Sequence, residues 1–479
     1  MSAIATKLQP VYLAGKWVDS PSQLEVRNPY NDELIATTYY ATPEQLEYAT
    51  AAAERAMSTL GKLGTWERAA ILSELAARIR RDRDDIARII ALEAGKPIRD
   101  AETEVDRGIF TVETAAEEAK RIDGEVIPLD LLPSSKGRLG IVRRFPIGPI
   151  AGISPFNFPL NLALHKLAPA IASGNSIVLK PPSSDPLTML RIASLLEGLG
   201  LPDGAVSVLP MNREVGDAMV SDERYKLLSF TGSPDVGWAM KNRAGKKKVV
   251  LELGGNAGVL IDADADLAYA ANRIRIGAFA YAGQVCISVQ RIFIHERRYE
   301  EFLGLLLEET AKIVAGDPLD RSTDMGPMID DKAAQRTQRW VNEAADAGAR
   351  ILAGGNARDR FFEPTVIEGA PKSSAVCAKE AFAPLVNVFP VTSLDEGIDA
   401  LNDSEFGLQA GVFTGSLEHS MRAFERIEAG GVTINDIPTY RIDHMPYGGV
   451  KSSGLGREGV KYTIEDMTEP RLMVINRPG

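Results

Sequence analysis

Apolar positions follow two different periods along the 479 residues, and the switch between them divides the chain. Up to about residue 121 they recur every three to four residues, the spacing of helices that bury one face. Thr42-Pro43-Glu44-Gln45 has the form of a capping box before an alanine-rich segment running to Met57. Thr65 is placed to cap a helix carrying Ile71, Leu72 and Leu75, and further helices are predicted over 82–94 and 97–121. Their alanine and leucine stripes are core. From 124 to 144, polar turns separate two short extended runs, which predicts a hairpin. From Gly148 to Leu253 apolar strands alternate with helices, the pattern of a parallel sheet, and the second half repeats that alternation around Cys286. Residues 466–475 read as an exposed strand, whose unpaired edge is a template for association. The predicted fold class is α/β.

Chemistry enters with Cys286, set in Ala282-Gly283-Gln284-Val285-Cys286-Ile287-Ser288, where small uncharged neighbours admit a substrate to the sulfur. A thiolate is strongly nucleophilic even when little of the thiol is ionised, and a carbonyl carbon is its natural target. Taken alone, a free cysteine reads first as a buried structural thiol. Four other segments turn the balance. Glu252 closes the apolar run Val249-Val250-Leu251 ahead of a Gly-Gly turn, and a carboxylate there has its pKa raised toward the range of a general base, unless it serves a structural salt bridge. Asn157, in Ser154-Pro155-Phe156-Asn157-Phe158-Pro159, is an amide stiffened by prolines and shielded by rings, suited to an oxyanion or simply to a turn. Lys180 ends a strand and opens a polar loop, the place where open α/β sheets bind ligands. Thr231-Gly232-Ser233-Pro234 offers a helix start, with Ser233 as cap, that favours a phosphate. The literal Gly-x-Gly-x-x-Gly at 454–459 is rejected as a dinucleotide fingerprint and read as a loop between domains, because it follows a polar loop rather than a strand.

Pro155-Phe156-Asn157-Phe158-Pro159, Lys180-Pro181, Phe230-Thr231-Gly232-Ser233, Glu252-Leu253-Gly254-Gly255, Gly283-Gln284-Val285-Cys286 and Glu380-Ala381-Phe382 occur in an order and at a spacing that resemble the aldehyde dehydrogenase superfamily over nearly the whole chain. The resemblance implies a Rossmann-type cofactor domain (1–123 and 145–253), an α/β catalytic domain (254–450) and a β oligomerisation arm (124–144 and 451–479) building a homodimer or homotetramer. It implies Cys286 as nucleophile, Glu252 as the base for thioester hydrolysis, and Asn157 with the Cys286 N–H as the oxyanion hole. NADP or NAD would lie on Lys180, Ser183, Gly232, Ser233, Glu380, Phe382 and Phe156, while Asn435 and Phe382 would border the substrate. The implied reaction is attack of Cys286 on an aldehyde, hydride transfer to the nicotinamide, and hydrolysis of the resulting thioester. Relatives that pass the acyl group to coenzyme A typically lack the glutamate, so Glu252 favours water. A coenzyme A-acylating semialdehyde dehydrogenase and a catalytically silent homologue are the alternatives.

Two departures from the family pattern matter. Ala383 replaces a usual glycine, so a positive φ there is either absent or strained. Ser183 replaces the glutamate of many NAD-preferring members, which removes a repulsion and predicts use of both cofactors with NADP ahead. Arg107, on a helix that lines the entrance in this family, faces a loop carrying Arg441 and His444; together they suit an anion, or else the arginines are paired surface residues. His165 follows the oxyanion loop and reads as a core histidine before a tunnel residue. Val285 stands where relatives taking phosphorylated aldehydes carry an arginine. The predicted substrate is a small polar aldehyde such as lactaldehyde, glyceraldehyde or a semialdehyde.

Composition changes the picture only by exclusion. Net charge is −11, which disfavours nucleic acid and anionic membranes as partners, and no apolar stretch is long enough to span a bilayer. Two cysteines make no disulfide framework and the amino terminus shows no signal-peptide run, so the expected location is cytoplasmic. The four histidines show no ligand spacing, and no metal is expected.

Overall fold

The computed structural model describes residues 8–477. Five strands of the first sheet run parallel, in the order Val206–Val208, Ile177–Lys180, Ile150–Ile153, Leu227–Thr231 and Lys248–Glu252. Most of their side chains are buried, as the continuous apolar runs of the sequence require when both faces are covered. The chain leaves the strand Ile150–Ile153 toward one side and returns at Leu227–Thr231 on the other. In open α/β sheets that reversal marks the ligand crevice, at the strands' carboxyl ends. The register sets Ile153 beside Lys180 and Phe230, and Thr231 beside Glu252. Asn157, Lys180, Gly232 and Glu252 therefore leave or lie just beyond one edge of one sheet.

The second sheet has seven strands, ordered Arg350–Ala353, Thr365–Glu368, Leu385–Val391, Val289–His295, Ala257–Ile261, Gln409–Phe413 and Gly431–Ile434, parallel except at the first pair. Cys286 immediately precedes Val289–His295 and Glu380 precedes Leu385–Val391, so both belong to the amino-terminal edge of this sheet. The α/β fold expected from the alternation is what forms.

The four amino-terminal helices are Pro43–Leu60, Thr65–Arg81, Arg83–Ala94 and Ile98–Ala119. Thr42 and Gln45 make the reciprocal capping box. The second cap differs from expectation. It falls on Gly64, whose N–H is accepted by Glu67 at 2.6 Å, so Thr65 is the first helical residue. The hairpin Gly124–Pro128 and Arg138–Pro146 joins the strand Thr468–Asn476 in a three-stranded sheet. Among the described residues from 451 on, only that strand does so. Gly454–Leu455 instead pairs antiparallel with Lys248–Glu252, and the helix Val460–Asp466 packs on the helices Asn161–Ser173 and Ile98–Ala119. Among the described residues no helix is long and apolar enough to cross a membrane.

Candidate active site

Three successive left-handed residues, Tyr281 (φ 49°), Ala282 (52°) and Gly283 (65°), coil the chain tightly ahead of Cys286. For the two non-glycine residues this costs about 1–2 kcal/mol each, strain of a kind that collects at functional sites. Gly283 is needed on a second ground, since a Cβ there would lie 2.1 Å from the Ala383 carbonyl oxygen. The coil delivers the Gln284 carbonyl to Asn157, whose Nδ2 donates to it at 3.0 Å. The Cys286 sulfur lies 3.0 Å from the Tyr447 hydroxyl. Burial pushes the thiol up to about 12, outweighing the tyrosine hydrogen bond that favours the thiolate, so the resting site holds a thiol.

Glu252 is 3% exposed. Its Oε1 accepts the Glu458 N–H at 3.2 Å, and its Oε2 has no partner. Burial and then the charge of Glu458 raise its pKa well above the carboxylate range, against the pull of Arg441 and Lys166. Glu458 goes the other way. Lys166 donates to it at 3.1 Å and, together with Arg441, offsets its burial, so it stays ionised. Two carboxyls side by side are thus held in different protonation states, the arrangement by which sites assign acid and base roles.

On the cofactor side, a cavity of about 470 Å³ is lined by Lys180, Ser183, Met211, Arg213, Phe230 and Val236 among others. Burial lowers the Lys180 pKa, and its ammonium makes no ion pair; Asp217, which shares the cavity, is paired with Arg243. A Cβ at Gly216 would come within 2.8 Å of the Lys180 side chain, so that glycine keeps the space. Ser183 Oγ donates weakly to the Met211 carbonyl at 3.3 Å. Ser233 caps the helix Pro234–Arg243 with Pro234 in its first turn, as expected, although its hydroxyl makes no capping bond. Glu380 accepts the Gly255 N–H at 3.1 Å and is raised by burial to about 7. A Cβ at Gly254 would sit 2.2 Å from Glu380 Oε2, so the Gly-Gly turn lets the two elements meet. Phe382 packs edge-to-face on Phe156, with ring centroids 5.7 Å apart. The left-handed residue of this segment is Phe382 (φ 48°), not Ala383, so the backbone places its strain one position earlier. A half-buried lysine and Arg213 beside a largely apolar cavity, with a helix start nearby, fit the adenosine half of a dinucleotide.

Of the residues expected near the substrate, Arg107, His165 and Arg441 converge on one buried carboxylate. Asp443 accepts Arg107 Nε at 3.0 Å and Nη2 at 2.7 Å, Asn161 Nδ2 at 2.9 Å, and lies 2.9 Å from His165 Nε2. Arg441 lies 3.7 Å from Asp443, bonds Glu458 at 3.2 Å, and places its guanidinium 3.7 Å over the Tyr447 ring. His165 is fully buried, and burial lowers its pKa, so it is a neutral core residue with Nδ1 unpartnered. Val285 packs with Ile287, Leu408 and Tyr447 around Cys286. His444 is exposed and meets Phe110 edge-on, with centroids 6.1 Å apart. Asn435 is not brought to this group. It follows the strand Gly431–Ile434, whose other end adjoins Leu408 near Cys286, and about 3.3 Å per residue along that strand separates them. Its Oδ1 accepts the Thr414 N–H instead.

Tyr447, Asp443, Glu458, Lys166 and Arg213 were not anticipated from the sequence. The first three lie in the loop region after Gly431–Ile434, where no periodicity marks them, and only the charged residues near Arg441 hinted at pairing.

The match to known proteins agrees with this geometry. The model of the aldehyde dehydrogenase family covers residues 17–473, and the chain belongs to that family, making it an NAD(P)-dependent oxidoreductase of aldehydes. It is 42% identical over 476 residues, 99% of each chain, to a 3-sulfolactaldehyde dehydrogenase of Priestia megaterium. Among solved structures it is similar to aldehyde dehydrogenase 21 from Physcomitrella patens in complex with the reaction product succinate, with a TM-score of 0.97, 44% identity and coverage of 98% and 99%. It is also similar to the glyceraldehyde-3-phosphate dehydrogenase GapN of Methanocaldococcus jannaschii complexed with NADP, with a TM-score of 0.91, 39% identity and coverage of 95% and 99%.

Proposed function

We propose that the protein oxidises a small aldehyde bearing a hydroxyl or one acid group, such as lactaldehyde, glyceraldehyde or a semialdehyde, to its carboxylic acid with water as acyl acceptor. The observation that carries this is Glu252: buried, raised in pKa, and with one carboxyl oxygen free. Cys286 Sγ adds to the aldehyde carbon as its proton passes to solvent, and the carbonyl oxygen becomes the oxyanion. Asn157 Nδ2 uses one hydrogen on the Gln284 carbonyl and has the other for the oxyanion. A bound dinucleotide, held at Lys180, Ser183, Gly232 and Ser233 with Glu380, Phe382 and Phe156 at its other end, supplies the hydride acceptor. Glu252 then takes a proton from water, which attacks the thioester carbon and frees the acid. Arg107 and Arg441, ion-paired to Asp443 and Glu458, give this part of the chain a polar character, and relatives named for sulfolactaldehyde and crystallised with succinate support that class. A panel of hydroxy-, sulfo-, phospho-, semi-, alkyl and aromatic aldehydes, read by absorbance of reduced nicotinamide with and without coenzyme A, tests it. Turnover should be fastest on hydroxy or acidic aldehydes and independent of coenzyme A. A requirement for coenzyme A, or preference for aromatic aldehydes, overturns the reading.

NADP is expected to be used ahead of NAD, because Arg213 and Ser183 share the cavity of Lys180 and no carboxylate stands at position 183. Ser183→Glu should shift the ratio of kcat/KM values toward NAD by about tenfold or more, the effect of one like charge against a 2′-phosphate. A hundredfold preference of the unaltered protein for NAD would count against it.

The raised pKa of Glu252 sets the pH dependence. The base form is the ionised one, and a pKa above the usual range delays its appearance, so kcat should climb with pH through the neutral region. Initial rates at saturating substrate check this, and a profile already flat just above the usual carboxylate range contradicts it. The exposed Leu472, Met473 and Val474 on Thr468–Asn476 support assembly through that sheet into a homodimer or homotetramer.

A further inference from the structure

Beneath the Asn157 loop lies a pair of charges that the chemistry above does not use. Lys96, between the helices Arg83–Ala94 and Ile98–Ala119, and Glu104, on the second of them, are each 1% exposed and in direct contact. The Lys96 ammonium donates to the carbonyl oxygen of Asn157 at 2.6 Å and lies 3.8 Å from the centre of the Phe158 ring and 4.7 Å from that of Tyr281. Glu104 Oε1 accepts the N–H groups of Leu160 at 3.0 Å and Asn161 at 3.1 Å, where the helix Asn161–Ser173 begins. The Tyr281 hydroxyl donates to the Ala94 carbonyl at 2.6 Å, two residues before Lys96, tying the left-handed coil ahead of Cys286 to the same place.

We propose that the Lys96–Glu104 pair is a positioning device that fixes the amide of Asn157 against Cys286. Burying two charges is a costly way to fill space, and apolar side chains of equal volume would pack as well. What the charges add is short directional bonds to backbone atoms on both sides of Asn157: ammonium to its carbonyl, carboxylate to the N–H groups three and four residues on. The Asn157 side chain is held from a third direction by Gln284. A donor for an oxyanion acts only if held within about 0.5 Å of its place, and this loop leaves a strand end rather than sitting inside one. The pair supplies that constraint without touching substrate.

The inference rests on Asn157 as oxyanion donor. Lys96→Met/Glu104→Gln removes both charges together, leaves no lone buried ion, and keeps an acceptor for Leu160 and Asn161. Its kcat should fall about 10- to 100-fold, less than or equal to deletion of an oxyanion donor. KM for the aldehyde and Kd for NADP should stay within roughly threefold, as for loss of an interaction made only in the transition state. The rate and pH profile of Cys286 alkylation by iodoacetamide should be unchanged. Adding Asn157→Ala to this variant should cost little more, because both changes remove one function. Should the double variant not fold, Lys96→Arg, which keeps the ion pair but displaces the cation from the Asn157 carbonyl, carries the same comparison. If Asn157→Ala by itself leaves kcat intact, the oxyanion assignment fails and takes the inference with it. If Asn157→Ala lowers kcat while the neutral pair does not, or if the two losses multiply, only the positioning role is overturned. Equal losses of alkylation rate, NADP binding and kcat also overturn it, since they mark general support of the fold.

Discussion

Cys286→Ala should abolish aldehyde oxidation, with kcat/KM lower by at least about 10⁴-fold, while NADP binding persists. No other described nucleophile is placed to substitute, since the second cysteine, Cys377, is buried and packed with Val376, Ala381 and Leu385. The substitution removes one sulfur atom from a partly exposed position and leaves the backbone coil at 281–283 intact. Its structural cost is confined to the Tyr447 hydroxyl, which loses its partner, about 1–3 kcal/mol for a buried group. Thermal unfolding should therefore shift only modestly while absorbance of reduced nicotinamide stays flat. Undiminished turnover would remove the covalent mechanism altogether.

Glu252→Gln should separate the two halves of the reaction. Glutamine keeps an oxygen to accept the Glu458 N–H and fills the same volume, so the fold has no reason to change. It also removes a carboxyl whose ionisation is opposed by burial and by Glu458, so no stabilising charge is lost. Water activation is what disappears. Reduced nicotinamide should form in a burst of about one per site, followed by steady turnover slower by about 10²–10⁴, the range for loss of a general acid–base group. Mass spectrometry of the quenched protein should find the acyl group on Cys286. A variant that turns over without a burst at the original rate would show that another group activates water, and coenzyme A-dependent recovery would point to a different acyl acceptor.

The residues that were legible in advance share a location. Asn157, Lys180, Gly232, Glu252 and Cys286 each stand where a regular element begins or ends, and such ends carry local signals: a Gly-Gly turn, a proline, a cap, a carboxylate closing an apolar run. The alternation of strands and helices was visible for the same reason, because burial on both faces leaves continuous apolar runs. What stayed hidden depends on partners distant in sequence. Arg107 meets Asp443, Lys166 meets Glu458, and Lys96 meets Asn157 only after two sheets and a helical layer have packed. No spacing along the chain announces those pairs. The cap at Gly64 was missed because glycine has no side chain to signal it; the Glu67 carboxylate reaches back to the Gly64 N–H instead. Asn435 was assigned to the substrate by the resemblance alone, and it stands at the end of a strand opposite to the one beside Leu408.

Arg107 and Arg441 already have internal counter-ions in Asp443 and Glu458. An arriving sulfonate or carboxylate therefore finds its attraction largely spent, and gains only what those resident acids leave over. Sorting among hydroxylated and acidic aldehydes should consequently depend on contour more than on sign, with affinities that change little with ionic strength.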